Sequence, residues 1–77
     1  MVAGVELLDL RGTRCPLNYV KTRLRLEEME VGEEVEVWLD RGEPEVQVPR
    51  SLRLDGQGVT ELGIAEGAFR ILVRRAV

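Results

Sequence analysis

The most reactive group this chain offers is one sulfur. Cys15 is its single cysteine, placed between an apolar run, Val5 to Leu10, and an amphipathic stretch that opens at Pro16. That spacing predicts a strand, a tight loop holding Gly12, and a helix with Cys15 at its N-cap. Pro16 then takes the first helical position, where a missing N–H costs nothing. A thiol in that place faces unpaired backbone N–H groups and the positive end of the helix dipole, both of which favour thiolate. Arg11, Arg14, Lys21, Arg23 and Arg25 cluster on the same side, whereas Glu27, Glu28, Glu30, Glu33 and Glu34 gather at the far end of the helix. The chemistry implied is a nucleophilic sulfur activated by dipoles and cations. The chain has no histidine and no second cysteine, which excludes Cys–His hydrolysis, an internal disulfide and an ordinary zinc site. No metal or cofactor is called for.

Several elements must hold that sulfur in place. Arg11-Gly12-Thr13-Arg14 closes the first strand, and the helix is expected to run to about Met29 and stop near Gly32. Within it, Tyr19, Thr22, Leu26 and Met29 share one face and are expected against a sheet. Leu17, Val20 and Leu24 form a second apolar row turned away from it, either ordinary surface or, with Lys21, a docking patch beside the thiol. Glu34 to Asp40 alternates, with Val35, Val37 and Leu39 on one face and Trp38 on the other, as a strand with one wet face does. Glu43 to Leu54 reads as a second helix, kinked or restarted at Pro49. Val59 to Ile64 and Ala68 to Arg74 form a hairpin across Ala65-Glu66-Gly67. The expected fold is α+β, a two-layer sandwich in the order βαβαββ. Its four-stranded mixed sheet carries both helices on one face and leaves the other to solvent.

Seventy-seven residues fit a single domain, residues 1–77, too small for a large buried cavity. With 44% hydrophobic and 32% charged residues the chain is too apolar to be disordered. It has neither a run of about 18 apolar residues nor a basic-then-apolar leader, so no membrane association and a cytoplasmic location are expected. A net charge of −3 and few aromatics argue against direct nucleic-acid binding. The expected state is a monomer or weak homodimer, since the open sheet face and Trp38 leave room for a second copy.

The segment Leu8-Asp9-Leu10-Arg11-Gly12-Thr13-Arg14-Cys15-Pro16 resembles the signature of the TusA (SirA-like) sulfur-carrier family. The resemblance extends to the Val31-Gly32-Glu33 helix end, the Val48-Pro49 pair and the closing hairpin, and so covers nearly the whole chain. It implies a sulfurtransferase or sulfur carrier. Cys15 would take a sulfane sulfur from a donor protein such as a cysteine desulfurase or rhodanese, hold it as a persulfide, and pass it to an acceptor protein. The destinations implied are tRNA thiolation, molybdenum cofactor or related sulfur trafficking. By the same resemblance Asp9, Arg11, Gly12 and Pro16 are motif residues. Gly12 is assigned to loop geometry, Pro16 to the helix start and Asp9 to ordering the loop, with Arg11 or Arg14 stabilising charge on sulfur. The family motif is Cys-Pro-x-Pro, and Asn18 stands at its second proline, where its side chain can bond back to the helix cap.

Two other readings fit the same residues. One is a non-enzymatic interaction module in which the thiol is idle and Leu17 and Leu24 recruit a partner. The other is a regulatory thiol, which without a second cysteine requires glutathionylation or an intermolecular disulfide.

Overall fold

The computed structural model describes residues 4–77, so the first three residues of the expected domain lie outside the described residues. The elements follow the expected order: β1 (Glu6–Asp9), α1 (Leu17–Glu27), β2 (Glu34–Leu39), α2 (Glu43–Leu54), β3 (Gly58–Ala65) and β4 (Ala68–Arg74). The sheet runs β1-β2-β4-β3, with β1 and β2 parallel and the other pairings antiparallel. It is the four-stranded mixed sheet of an α+β two-layer sandwich.

Period-two burial builds the core. Val35, Val37 and Leu39 of β2 meet Val73, Ile71 and Phe69 of β4 in register, on the face that also takes Leu26 and Met29 from the α1 side and Val48 and Leu52 from α2. Both helices therefore cover one face of the sheet. Each of the buried aliphatic side chains in this set, partly buried Phe69 aside, contributes roughly 1.5–3 kcal/mol on leaving water.

The strand ends shift by one residue at β1, β2 and β3, and the helices differ from expectation in three features. Helix α1 starts at Leu17, with Pro16 as its N-cap at φ −92° and ψ 8°, so Cys15 lies one residue outside the helix. A residue before proline is steered away from helical angles, which keeps Cys15 in the preceding turn; the Cys15–Pro16 bond is cis. At its other end α1 stops at Glu27, because the N–H groups of Glu28 and Met29 bond three residues back, to Arg25 and Leu26, and tighten the last turn. Helix α2 is continuous through the buried Pro49 and neither breaks nor restarts.

The open face also departs from a wet surface. Five consecutive residues of β2, Val35 to Leu39, are buried, among them Glu36 and Trp38. β2 is flanked on both sides, and Arg70 of β4 lies opposite Trp38, so long side chains from the neighbouring strand and from the loop after β1 close over the middle of the face. The hairpin turns on two residues rather than three. Glu66 and Gly67 take φ of +52° and +76° between the paired Ala65 and Ala68, the left-handed pair that a two-residue hairpin favours.

After β4 the chain folds against the end of α1 remote from Cys15. Arg75 donates to the carbonyls of Met29 and Glu27, its own N–H bonds the Glu33 carbonyl at 2.9 Å, and the Ala76 N–H bonds Gln57 at 2.7 Å.

Candidate functional site

The site is the loop from Leu10 to Pro16, hung between the C-terminal end of β1 and the first turn of α1, a place where rigid elements commonly present reactive groups. Leu10 anchors it: this side chain is buried, and its N–H bonds the Trp38 carbonyl at 2.9 Å. Thr13 N–H returns to the Leu10 carbonyl at 3.0 Å, and Gly12, at φ +79°, directs its N–H to Asp40 Oδ2 at 2.9 Å. A side chain at Gly12 meets no neighbour, so the glycine is there for its backbone angle and not for space. Past this anchored turn Cys15 is exposed to solvent.

Asp9 and Arg11 form one unit. Asp9 accepts from the Arg11 backbone N–H at 3.1 Å and binds the guanidinium bidentately at 2.9 and 2.7 Å. The Arg11 bond comes first among the causes that hold the Asp9 carboxyl below its ordinary range. Arg11 also donates to the Glu66 carbonyl at 3.2 Å and stacks 4.7 Å from the centre of the Trp38 ring. Its charge is therefore matched by Asp9, and of the two arginines expected near the sulfur only Arg14 keeps a guanidinium outside any ion pair among the described residues. Arg25 and Arg23 are likewise engaged, the first with Glu6 at 2.6 Å and the second with Glu27 at 3.9 Å. Lys21 enters no ion pair among the described residues.

The first turn of α1 uses most of its own donors. Asn18 N–H bonds the Arg14 carbonyl at 3.2 Å, Val20 N–H bonds that of Pro16 at 3.0 Å, and Tyr19 N–H bonds Asn18 Oδ1 at 2.7 Å. Of the amide groups expected to be unpaired at this helix start, only that of Leu17 has no acceptor among the described residues. The Asn18 side chain does not bond back to a cap. It sits at the second helical position, fully buried in line with Thr22 and Leu26, and its Nδ2 has no partner among the described residues. Tyr19, expected in the inward row, is displaced to its margin, where its hydroxyl donates to Asp55.

Leu17, Val20 and Leu24 are 55%, 39% and 55% exposed, which puts a three-residue apolar row on the outer face of α1 directly after the thiol. Lys21 is exposed beside them. Sequence reading overlooked Trp38, Glu36 and Arg70 as neighbours of the site; the signal was a tryptophan and a glutamate on the outward positions of the strand that pairs with β1.

The site is thus an exposed cysteine on a Gly-turned loop, at the junction of β1 and α1 in a βαβαββ sandwich. A solved SirA-like protein of Desulfitobacterium hafniense superimposes with a TM-score of 0.80 over 95% of this chain and all of that one, at 19% identity, and so shares the fold. The family model described as sulfurtransferase TusA matches residues 6–75, and the chain belongs to that family. Two archaeal proteins bear the name "Putative sulfur carrier protein". That of Archaeoglobus fulgidus is 40% identical over 72 residues, 91% of this chain and 81% of its own length. That of Methanocaldococcus jannaschii is 33% identical over 75 residues, 97% of this chain and all of its own.

Proposed function

We propose that this protein is a sulfur carrier that holds a sulfane sulfur on Cys15 as a persulfide and relays it between two proteins. The observation that carries this reading is the exposed Cys15 on an anchored loop, next to an outward apolar row, in a chain of the TusA family. In the loading step the Cys15 thiolate attacks the outer sulfur of a donor persulfide. A bond forms between Sγ and that sulfur, the donor S–S bond breaks, and the donor leaves as its thiolate. A nucleophile of the acceptor then takes the outer sulfur in the same way and regenerates the Cys15 thiolate. Both steps need open approach by a second protein, and neither needs a deep pocket.

In this reading the donor, a cysteine desulfurase or rhodanese, and the acceptor land in turn on Leu17, Lys21 and Leu24. Arg14, outside any ion pair among the described residues, is the cation nearest the sulfur in sequence. Asp9, Arg11 and Gly12 shape the loop, while Pro16 and Asn18 shape the helix start. The protein acts as one domain in the cytoplasm, as a monomer or weak homodimer, within tRNA thiolation, molybdenum-cofactor or related sulfur traffic. No helix among the described residues is long and apolar enough to cross a membrane.

The test is intact-mass spectrometry after incubation with a cysteine desulfurase, its pyridoxal phosphate and cysteine. A gain of one sulfur atom is expected on the wild-type chain and none on Cys15→Ser. A wild-type chain that stays at its original mass removes this reading.

A further inference from the structure

The buried cluster on the open face has no place in the sulfur chemistry, yet it ends at the thiol loop. Trp38 donates from Nε1 to Glu36 Oε2 at 2.6 Å, Glu36 is fully buried with Arg70 at 3.6 Å, and Arg70 donates to the Leu62 carbonyl at 3.2 Å. As a stability device this is poor, because an apolar group of similar size often serves as well as a buried ion pair. What it does achieve is to fix the plane of the Trp38 ring. The Arg11 guanidinium lies against that plane and is held from two further sides, by both oxygens of Asp9 on β1 and by the Glu66 carbonyl of the β3–β4 turn. An exposed arginine held only by a carboxylate gains little from the pair. Here three elements converge on it, one residue before Gly12 and four before Cys15.

We propose that Trp38 is a positioning residue for Cys15: acting through Arg11, it fixes the loop that presents the sulfur and ties that loop to the β3–β4 turn. The functional half of this proposal rests on the persulfide reading, because sulfur transfer between two proteins requires the sulfurs to meet in line. A misplacement of about 1 Å costs such a step up to about a hundredfold.

The test compares Trp38→Leu, which removes the ring, with Trp38→Phe, which keeps a smaller aromatic face and loses the Nε1 donor to Glu36. Arg11→Lys keeps the charge and loses the fork; it lies at the surface and carries the test if Trp38→Leu does not fold. Hydrogen exchange of the amides of Gly12 and Thr13, which bond Asp40 and Leu10, reports on the loop, with Val37 and Ile71 as internal standards. In Trp38→Leu and Arg11→Lys the loop amides are expected to exchange at least about fivefold faster, with the standards unchanged. Loading by a cysteine desulfurase is expected to drop about tenfold in kcat with KM for the chain nearly constant. Trp38→Phe falls between Trp38→Leu and the wild type in both, because it keeps an aromatic face for Arg11 and loses the bond that fixes its plane, and alkylation of Cys15 by iodoacetamide, which needs no docking geometry, stays at the wild-type rate. Loop exchange that stays at the wild-type rate in Arg11→Lys overturns the proposal, as does faster loop exchange with undiminished loading. A wild-type chain that takes up no sulfur overturns the persulfide reading instead, and the exchange rates still decide whether Trp38 orders the loop.

Discussion

Two residues with positive φ show opposite consequences of the same backbone rule. Gly12 turns the thiol loop at φ +79°, and its N–H reaches Asp40. Any residue with a Cβ is strained there, so Gly12→Ala is expected to destabilise the fold by about 1–2 kcal/mol although no neighbour is struck, as a shift in the urea midpoint will show. Glu66 takes φ +52° in the hairpin turn, where asparagine is more at ease. Glu66→Asn is therefore expected to stabilise by about 0.5–1 kcal/mol while leaving the carbonyl that Arg11 uses in place.

At the scale of elements, α1 has one buried face and one exposed apolar row. Its inner face and the sheet form the core, so truncation there is a stability change. Leu52→Ala on the facing helix α2, fully buried, is expected to cost about 2–5 kcal/mol in a denaturant titration. The outer row behaves otherwise. Leu24→Glu, at a position 55% exposed, is expected to leave the urea midpoint nearly unchanged and to raise KM for loading by the sulfur donor, with little effect on kcat. The division between these faces was legible in the order of residues, since Thr22, Leu26 and Met29 recur at helical spacing and are buried, and Leu17, Val20 and Leu24 are not. Alternation in β2 placed Val35, Val37 and Leu39 inward in the same way. Less legible were features decided by more distant chain. Glu36 and Trp38 look like outward residues by period, and only the pairing of β2 with β4, which sets Arg70 beside Trp38, buries them. Pro49 looks like a helix breaker, and packing against the core carries α2 through it. Asn18 looks like a capping residue, and its fate depends on which turn of α1 faces the sheet. The thiol loop itself was readable as a turn with a glycine, but its anchors at Asp40, Glu66 and Trp38 come from three other elements.

Over the whole molecule, pH acts through a few paired groups. Arg25 holds the Glu6 carboxyl below its ordinary value of 4.5, Arg11 holds Asp9 below 3.8, and the Gly42 N–H, with Arg41, holds Glu45 below 4.5. Groups depressed on folding contribute stability that is present above their unfolded values and lost as pH falls through the folded ones. Tyr19 has the opposite sign: its bond to Asp55 and its partial burial raise it above 10.0, so its contribution is complete below pH 10 and fades as pH climbs past the folded value. The urea midpoint is therefore expected to fall below about pH 4 and again above about pH 10. Asp9→Asn is expected to flatten part of the acid limb.

The segment after β4 is fastened to the carbonyls of Glu27, Met29 and Glu33, at the end of α1 away from the sulfur. β4 ends with Arg74 beside Glu34, whereas the thiol loop leaves β1 at Asp9, beside Trp38, so the segment and the loop depart from opposite ends of the sheet. A bead, a fluorophore or a fused enzyme joined at Val77 would leave the reactive pole unobstructed, which makes that position the natural handle for immobilising the carrier and watching single sulfur deliveries on a surface.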